Sequence, residues 1–266
     1  RELSNFIFMS NQIVFMYHDL FRRDVKESGF QTIGAIPYKI SEKIFEKQVQ
    51  QISNYCVNKH IKKSNIVFTF DDGGSSFLNL IAPILEKYGF LGVFFIATQY
   101  VDSPGFLTTD GIIALRKRGH IIGSHSHSHP LRMDALDMKS LIEEWSVSSQ
   151  ILESILNEPI KVASIPNGFS SKLVLQSMAD YGFTTIYDSV PTTRVRHVKG
   201  IKLLGRYAIL NNMKVEDVLN IVRNPFMRFR MKIRYEVLEG IKFMLGSQYL
   251  TVRKKLLTIR NKAQTK

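Results

Sequence analysis

The sequence predicts an α/β protein built as a distorted or incomplete (β/α) barrel of about seven parallel strands, with a basic helical extension at the C-terminal end. Three observations carry that expectation. Short, continuously apolar runs recur along the chain, segments with helical spacing separate them, and glycines stand just past the ends of those segments. Strands covered on both faces read as unbroken apolar runs rather than alternating ones, which is how a parallel sheet wrapped by crossover helices looks in sequence. Seven candidates are one short of a regular eight-stranded barrel, so closure is expected to be incomplete.

In chain order, the first run is Gln12 to Tyr17. Asp19 to Pro37 follows with little periodicity and is read as a long loop over the active face, since it leaves the end of the first strand. Ile66 to Phe70 is the second run, and Ser75 to Tyr88 then carries apolar residues at steps of three and four, as a helix with one face on a core does. Gly92 to Ala97, the helix Thr109 to Lys117, His120 to Ser124, the helix Lys139 to Leu156, Lys161 to Ile165, the helix Ser170 to Tyr181 and Thr184 to Tyr187 continue the alternation. Lys202 to Ile209 is the last strand. Gly89, Gly119 and Gly182 end three of the helices, because glycine enters the left-handed region without a Cβ clash. Lys87-Tyr-Gly-Phe90 and Asp180-Tyr-Gly-Phe183 mark two helix-to-strand junctions.

With 266 residues and 44% hydrophobic content, one large domain over residues 1–222 and a tail over 223–266 are expected. A lone Cys56 cannot form an internal disulfide and leaves the redox compartment open. No apolar run of about 18 residues suggests a spanning helix. A cytoplasmic or peripheral-membrane setting is expected, with a secreted or periplasmic one if a leader once preceded Arg1. The net charge of +13 sits mostly in the tail, where 12 Lys or Arg face only Glu236 and Glu239. That distribution argues against nucleic acid as a partner and for a local contact with an anionic surface.

Two clusters carry chemistry. In Ile66-Val-Phe-Thr-Phe-Asp-Asp-Gly73, two carboxylates stand at a strand's C-terminal tip, where parallel α/β folds place their sites. Alone, Asp71 and Asp72 read equally as turn or cap residues. Gly123-Ser-His-Ser-His-Ser-His-Pro130 then sets three of seven histidines within five residues after another strand. Neutral imidazole is the commonest ligand of zinc-like ions, and His125 and His129 share a face if the segment makes a helical turn. The alternatives are a His125 and His127 pair on an extended strand, or a polar loop. Two imidazoles and one carboxylate leave coordination positions open, and the second carboxylate is then free to act as a base. Adjacent strand residues point oppositely, so the two aspartates divide roles only if the chain bends, as Gly73 and Gly74 allow.

Thr69-Phe-Asp-Asp-Gly73 and His125-Ser-His-Ser-His129-Pro130, with Met16-Tyr-His18 on the first strand, resemble the motifs of the polysaccharide deacetylase family, also called the NodB-homology or fourth carbohydrate esterase family. The resemblance spans roughly Gln12 to Ile209, which makes 1–222 the catalytic domain. It implies Asp71 as general base and Asp72, His125 and His129 as ligands of one divalent metal ion, zinc first, with cobalt, nickel, iron or manganese as alternatives. It implies an N-acetylated glycan as partner and substrate, and hydrolytic release of acetate.

Departures from the family pattern are informative. Its third motif, Arg-x-Pro-aromatic-Gly, appears here as Ser164-Ile-Pro-Asn-Gly168, so the arginine that helps position the base is absent. An arginine-free version is similar to that of the branch acting on poly-N-acetylglucosamine and related exopolysaccharides. Pro166, Asn167 and Gly168 are expected near substrate, as is Arg206, for which a structural ion pair is the competing role. The late histidine that serves as general acid is missing from Ile201-Lys-Leu-Leu-Gly-Arg206. His18, His127 and His197 are the candidates, His18 first because its strand end faces the same pocket. Two rivals stand beside this reading. A metal-binding pseudoenzyme or glycan-binding scaffold would explain the missing residues, and a barrel amidohydrolase or deaminase usually carries its His-x-His on the first strand, the reverse of the order here.

In the tail, Phe226, Phe229, Ile233, Val237, Ile241 and Met244 recur at steps of three and four. One reading is a final helix packed on the barrel with a solvated basic face. The other is an amphipathic element lying on an anionic membrane.

Overall fold

The computed structural model describes residues 12–245, with 248, 251–252 and 255–256. Arg1 and most of the tail past Leu245 lie outside the described residues. Nine strands form the main sheet, in the order β11-β1-β4-β5-β6-β7-β8-β10-β9. They are β1 (Ile13–Tyr17), β4 (Ile66–Phe70), β5 (Gly92–Ile96), β6 (Ile121–Ser124), β7 (Val162–Ser164), β8 (Thr185–Tyr187), β9 (Arg196–Val198), β10 (Ile201–Leu204) and β11 (Tyr207–Ala208). All neighbours pair in parallel except β9, which runs antiparallel to β10 on the edge. The sheet is a curled, distorted barrel. Two short strands, β2 (Leu20–Phe21) and β3 (Ile40–Ser41), pair with each other outside it, at the two ends of the long loop.

The strand expected over Lys202 to Ile209 is in fact two. It breaks at Gly205-Arg206, so that β10 pairs with β8 while β11 pairs with β1, at opposite ends of the sheet. The backbone is crowded there: a Cβ on Gly205 would fall 2.1 Å from the Val190 carbonyl oxygen. A two-residue bend of the chain thus spans the seam that ladder hydrogen bonds leave open.

Helices α1 (Glu42–Asn58), α2 (Ala82–Lys87), α3 (Thr109–Lys117), α4 (Met138–Leu156), α5 (Lys172–Tyr181) and α6 (Val215–Arg223) pack around the sheet, and α7 (Pro225–Leu245) follows. Ser41 caps α1 by accepting from the Ile44 amide, and Phe45, Val49, Ile52 and Cys56 bury one stripe of it. This helix is absent from the sequence expectations although its spacing is regular. The helix expected from Ser75 begins as a π-helical turn over Phe77–Ile81 and becomes α2.

Period-two alternation sorts the strand residues onto two faces. Phe15, Phe68, Phe70 and Phe94 turn outward into the large helix-covered core, with ring centroids of Phe70 and Phe94 5.1 Å apart. Val14, Val67, Val93, Phe95, Tyr187 and Leu204 form a small separate cluster. Thr69 and Asp71 share the parity of Val67, so the inward row of β4 passes from apolar to polar towards its C-terminal end. No helix among the described residues is long and apolar enough to cross a membrane.

Candidate active site

The loops at the C-terminal ends of β1, β4, β6, β7 and β10 build one buried polar cluster. Asp71 continues β4 and its amide donates to the Tyr17 carbonyl. The chain then turns sharply, with φ of +87° at Asp72 and +93° at Gly73. A positive φ on a non-glycine residue costs on the order of 1–3 kcal/mol and persists where the surroundings impose it. Here the turn lets consecutive aspartates serve one pocket from different directions. The bend expected from the glycines is shared by Asp72 itself.

After β6, the histidine segment is a loop, neither the helical turn nor the extended strand considered for it. Left-handed conformations at Ser126 (φ +62°) and His129 (φ +57°) fold it back on itself. His125 Nε2 stands 3.5 Å and His129 Nε2 3.3 Å from Asp72 Oδ1, and ligand atoms of the three residues all lie within 4.8 Å of one another. Behind His125, Ser164 Oγ lies 2.6 Å from Nδ1, which turns Nε2 toward Asp72. This donor set and its hydrogen-bonded imidazole fit a zinc-like divalent ion. Burial raises the Asp72 carboxyl, but hydrogen bonds from His125 and His129 outweigh it and hold the group well below the usual carboxylate range.

His127 leaves the cluster. Its Nδ1 is 3.0 Å from Thr98 Oγ1, and its amide and that of Ser128 donate to Glu144 of α4. Glu144, which sequence reasoning missed, pins the loop. His197 sits exposed in the middle of edge strand β9, outside the pocket. His18 is placed beside the acids. Burial lowers its pKa against the opposing fields of Asp72 and Asp71, and its buried Nδ1 has no hydrogen-bond partner among the described residues.

Arg206, expected to meet substrate, is fully buried and turned on Asp71. Its Nη1 and Nη2 donate to the two carboxylate oxygens at 2.7 and 2.8 Å, Nη1 also reaches Thr69 Oγ1, and Nε donates to the Asp188 carbonyl at 2.9 Å. These four hydrogen bonds turn the buried guanidinium toward Asp71 and away from the surface. Burial alone would raise the Asp71 carboxyl, and Arg206, with His125 and His18, brings it below its ordinary value. Ser164, standing where the family motif has its arginine, touches Asp71 at 3.3 Å and His125 at once.

Pro166, Asn167 and Gly168 form a single turn after β7. Asn167 is exposed with φ of +56°, and its Nδ2 donates to the Pro130 carbonyl, tying this turn to the histidine loop. Pro166 is buried, and Phe169 follows on the rim. The long loop between β2 and β3 does cover the pocket: the Phe30 ring is 5.0 Å from His129 and packs edge-on against Tyr100 and Phe106. No periodic signal singles out Phe30, since its neighbours belong to a different loop.

Residues 58–186 match the family model of polysaccharide deacetylases. This stretch is a polysaccharide deacetylase domain match. Among its relatives, the peptidoglycan-N-acetylmuramic acid deacetylase PdaA of Bacillus subtilis is 26% identical over 145 residues, 53% of each chain. Among solved structures, the deacetylase PplD of Streptococcus pyogenes, in complex with acetate, superposes with a TM-score of 0.64 at 20% identity, over 79% of this chain and 97% of that one. IcaB from Ammonifex degensii gives 0.59 at 17% identity, over 76% and 92%. The chain spans about half the length of the curated relatives it matches. At these identities the structural likenesses speak for the fold alone, a distorted barrel.

Proposed function

We propose that this chain is a metal-dependent N-deacetylase acting on N-acetylated sugars of a glycan, with its catalytic domain over residues 1–222. The supporting observation is the juxtaposition of a committed ligand trio, Asp72, His125 and His129, with a second carboxylate, Asp71, kept ionised by Arg206. A bound divalent ion, zinc by the donor set, would polarise the acetyl carbonyl and acidify water beside it. Asp71 then accepts a proton from the attacking water at one of its carboxylate oxygens. Arg206 keeps Asp71 anionic before that transfer and orients it throughout. The proton that Asp71 took from water passes on to the departing nitrogen, with His18 as its relay, so that the C–N bond breaks to give acetate and a free amine. Asn167, Gly168 and the Phe30 ring line the approach for the sugar.

Arg206 and His18 supply from other parts of the chain what the altered third and late motifs lack, which favours turnover over a pseudoenzyme. The arginine-free third motif favours an exopolysaccharide such as poly-N-acetylglucosamine. Acetate release from N-acetylglucosamine oligomers by zinc-loaded protein tests the reading. It is expected to vanish on chelation and to fall by about 10² or more in Asp71→Asn, which keeps its metal. Full turnover in Asp71→Asn defeats the base assignment. Metal binding without acetate release on a broad glycan panel supports a scaffold instead.

A further inference from the structure

Helix α7 has two apolar faces and the domain uses one. Met227 and Met231 pack against the main core, Tyr235 is partly buried beneath them, and Arg228 Nη1 donates to the Ile221 and Val222 carbonyls at the end of α6. At 3.6 residues per turn, Phe226, Phe229, Ile233, Val237 and Met244 come out on the opposite side. Their exposures are 64%, 57%, 44%, 57% and 77%, and Ile241 extends the stripe. Arg230 and Arg234, both exposed, lie along one side of it, and on the other side Lys232 pairs with Glu236 at 3.7 Å. The outward face therefore carries an apolar stripe with two arginines along one side.

We infer that this face of α7 seats the protein on an anionic phospholipid surface, the apolar stripe entering the interface and the arginines meeting lipid phosphates. A continuous apolar stripe turned to water marks an interaction surface, and long cationic side chains beside one snorkel to a headgroup layer. Charge selects the occupant. A second copy of the chain would bring the same cations against themselves, with 12 basic residues to 2 acidic ones from Arg223 onward. A soluble polyanion would satisfy the arginines and leave the aromatic and aliphatic side chains wet.

The placement bears on the site. On the docked side of α7, Lys242 Nζ sits 5.3 Å from the centre of the Phe169 ring, and the Arg132 guanidinium 4.7 Å from the same ring. Phe169 follows the Asn167-Gly168 turn, and Arg132 lies three residues beyond His129, so the helix runs along the pocket rim. Resting on the deacetylase reading, a bilayer on the outer face of α7 holds the pocket beside membrane-borne glycan.

The test is co-sedimentation of the full chain with vesicles of equimolar phosphatidylglycerol and phosphatidylcholine, against phosphatidylcholine alone. Anionic vesicles are expected to bind at least about tenfold more tightly, and added salt to weaken binding. Phe229→Ser with Ile233→Ser, and separately Arg230→Glu with Arg234→Glu, are each expected to lower binding about tenfold with an unchanged melting curve, since all four side chains are exposed. Equal binding by the Phe229 and Ile233 variant, or no preference for anionic vesicles, overturns the inference. So does a concentration-dependent dimer that the same variant abolishes, which would give the stripe to a second copy. Sedimentation needs no turnover, so failure here and failure to release acetate are separate results.

Discussion

Asp71 and Arg206 stand 135 positions apart in sequence and form a bidentate pair in which both side chains are buried. Removing one partner of such a pair strands a charge and costs about 3–5 kcal/mol. Arg206→Met is therefore expected to lower stability by that amount and to raise the Asp71 pKa. The sign follows from the loss of the cation: the base needs higher pH to ionise, so the acid limb of the kcat/KM profile moves up. Thermal melts and a pH profile check this. A rise in KM with an unmoved acid limb would return Arg206 to substrate binding. At the same scale, Asp71, Asp72, His125 and His129 were legible because each motif is contiguous and follows an apolar run. Arg206 was legible only as a cation near a strand. Its partner depends on which strands the closing barrel brings face to face.

The loop from Arg22 to Lys39 is held by a buried polar knot. Asp19 Oδ1 accepts from Ser28 Oγ at 2.6 Å and from Ser76 Oγ at 2.9 Å, and Lys39 Nζ donates to the Val25 and Ser28 carbonyls. Gly29 and Gly74 approach the Asp19 carboxylate so closely that a Cβ on either would overlap it, at 1.6 and 1.9 Å. Burial pushes the Asp19 carboxyl up to about 6, against the lowering effect of the Ser28 and Ser76 hydroxyls. The folded loop thus holds a proton that the unfolded chain, with an ordinary carboxylate near 4, has already lost. Folded protein binds more protons between those values, so the Asp19 contribution weakens as pH rises from about 4 to 6 and stays lost above that. Melting curves of metal-stripped protein across this window are expected to show the slope, and Asp19→Asn to remove it. An identical slope in the variant would place the titration elsewhere. Sequence pattern located this element over the active face, yet its fastening by Asp19 and the seat of Phe30 against His129 are contacts between segments that carry no period.

On the scale of the whole molecule, the barrel gathers the three proposed ligand side chains, with Ser164 behind His125 and Glu144 beneath the histidine loop. Zinc binding to a folded site stabilises by mass action, about 2.7 kcal/mol at a hundredfold excess over the dissociation constant. Added zinc is expected to raise the melting temperature of the wild type by several degrees and that of His125→Ala little, with unchanged far-ultraviolet circular dichroism on chelation. Collapse of secondary structure on chelation would show that the metal builds the barrel rather than docking into it. The outward stripe of α7 belongs to this scale too, since a helical period of apolar residues reports a face without saying whether core or solvent receives it.

The sequence by itself determined the class of fold and singled out Asp72, His125 and His129, the trio proposed to hold the metal. Burial on both faces forces unbroken apolar strands, and metal ligands cluster within short segments at strand ends. Only the tertiary structure decided that Lys202 to Ile209 breaks into β10 and β11 across the seam, that the break delivers Arg206 to Asp71, and that α7 docks through Met227 and Met231 and leaves Phe226 and Phe229 in water. Those outcomes depend on closure of the barrel, which pairs groups by geometry across the whole chain, whereas periodicity and motif spacing report only what neighbours in sequence share.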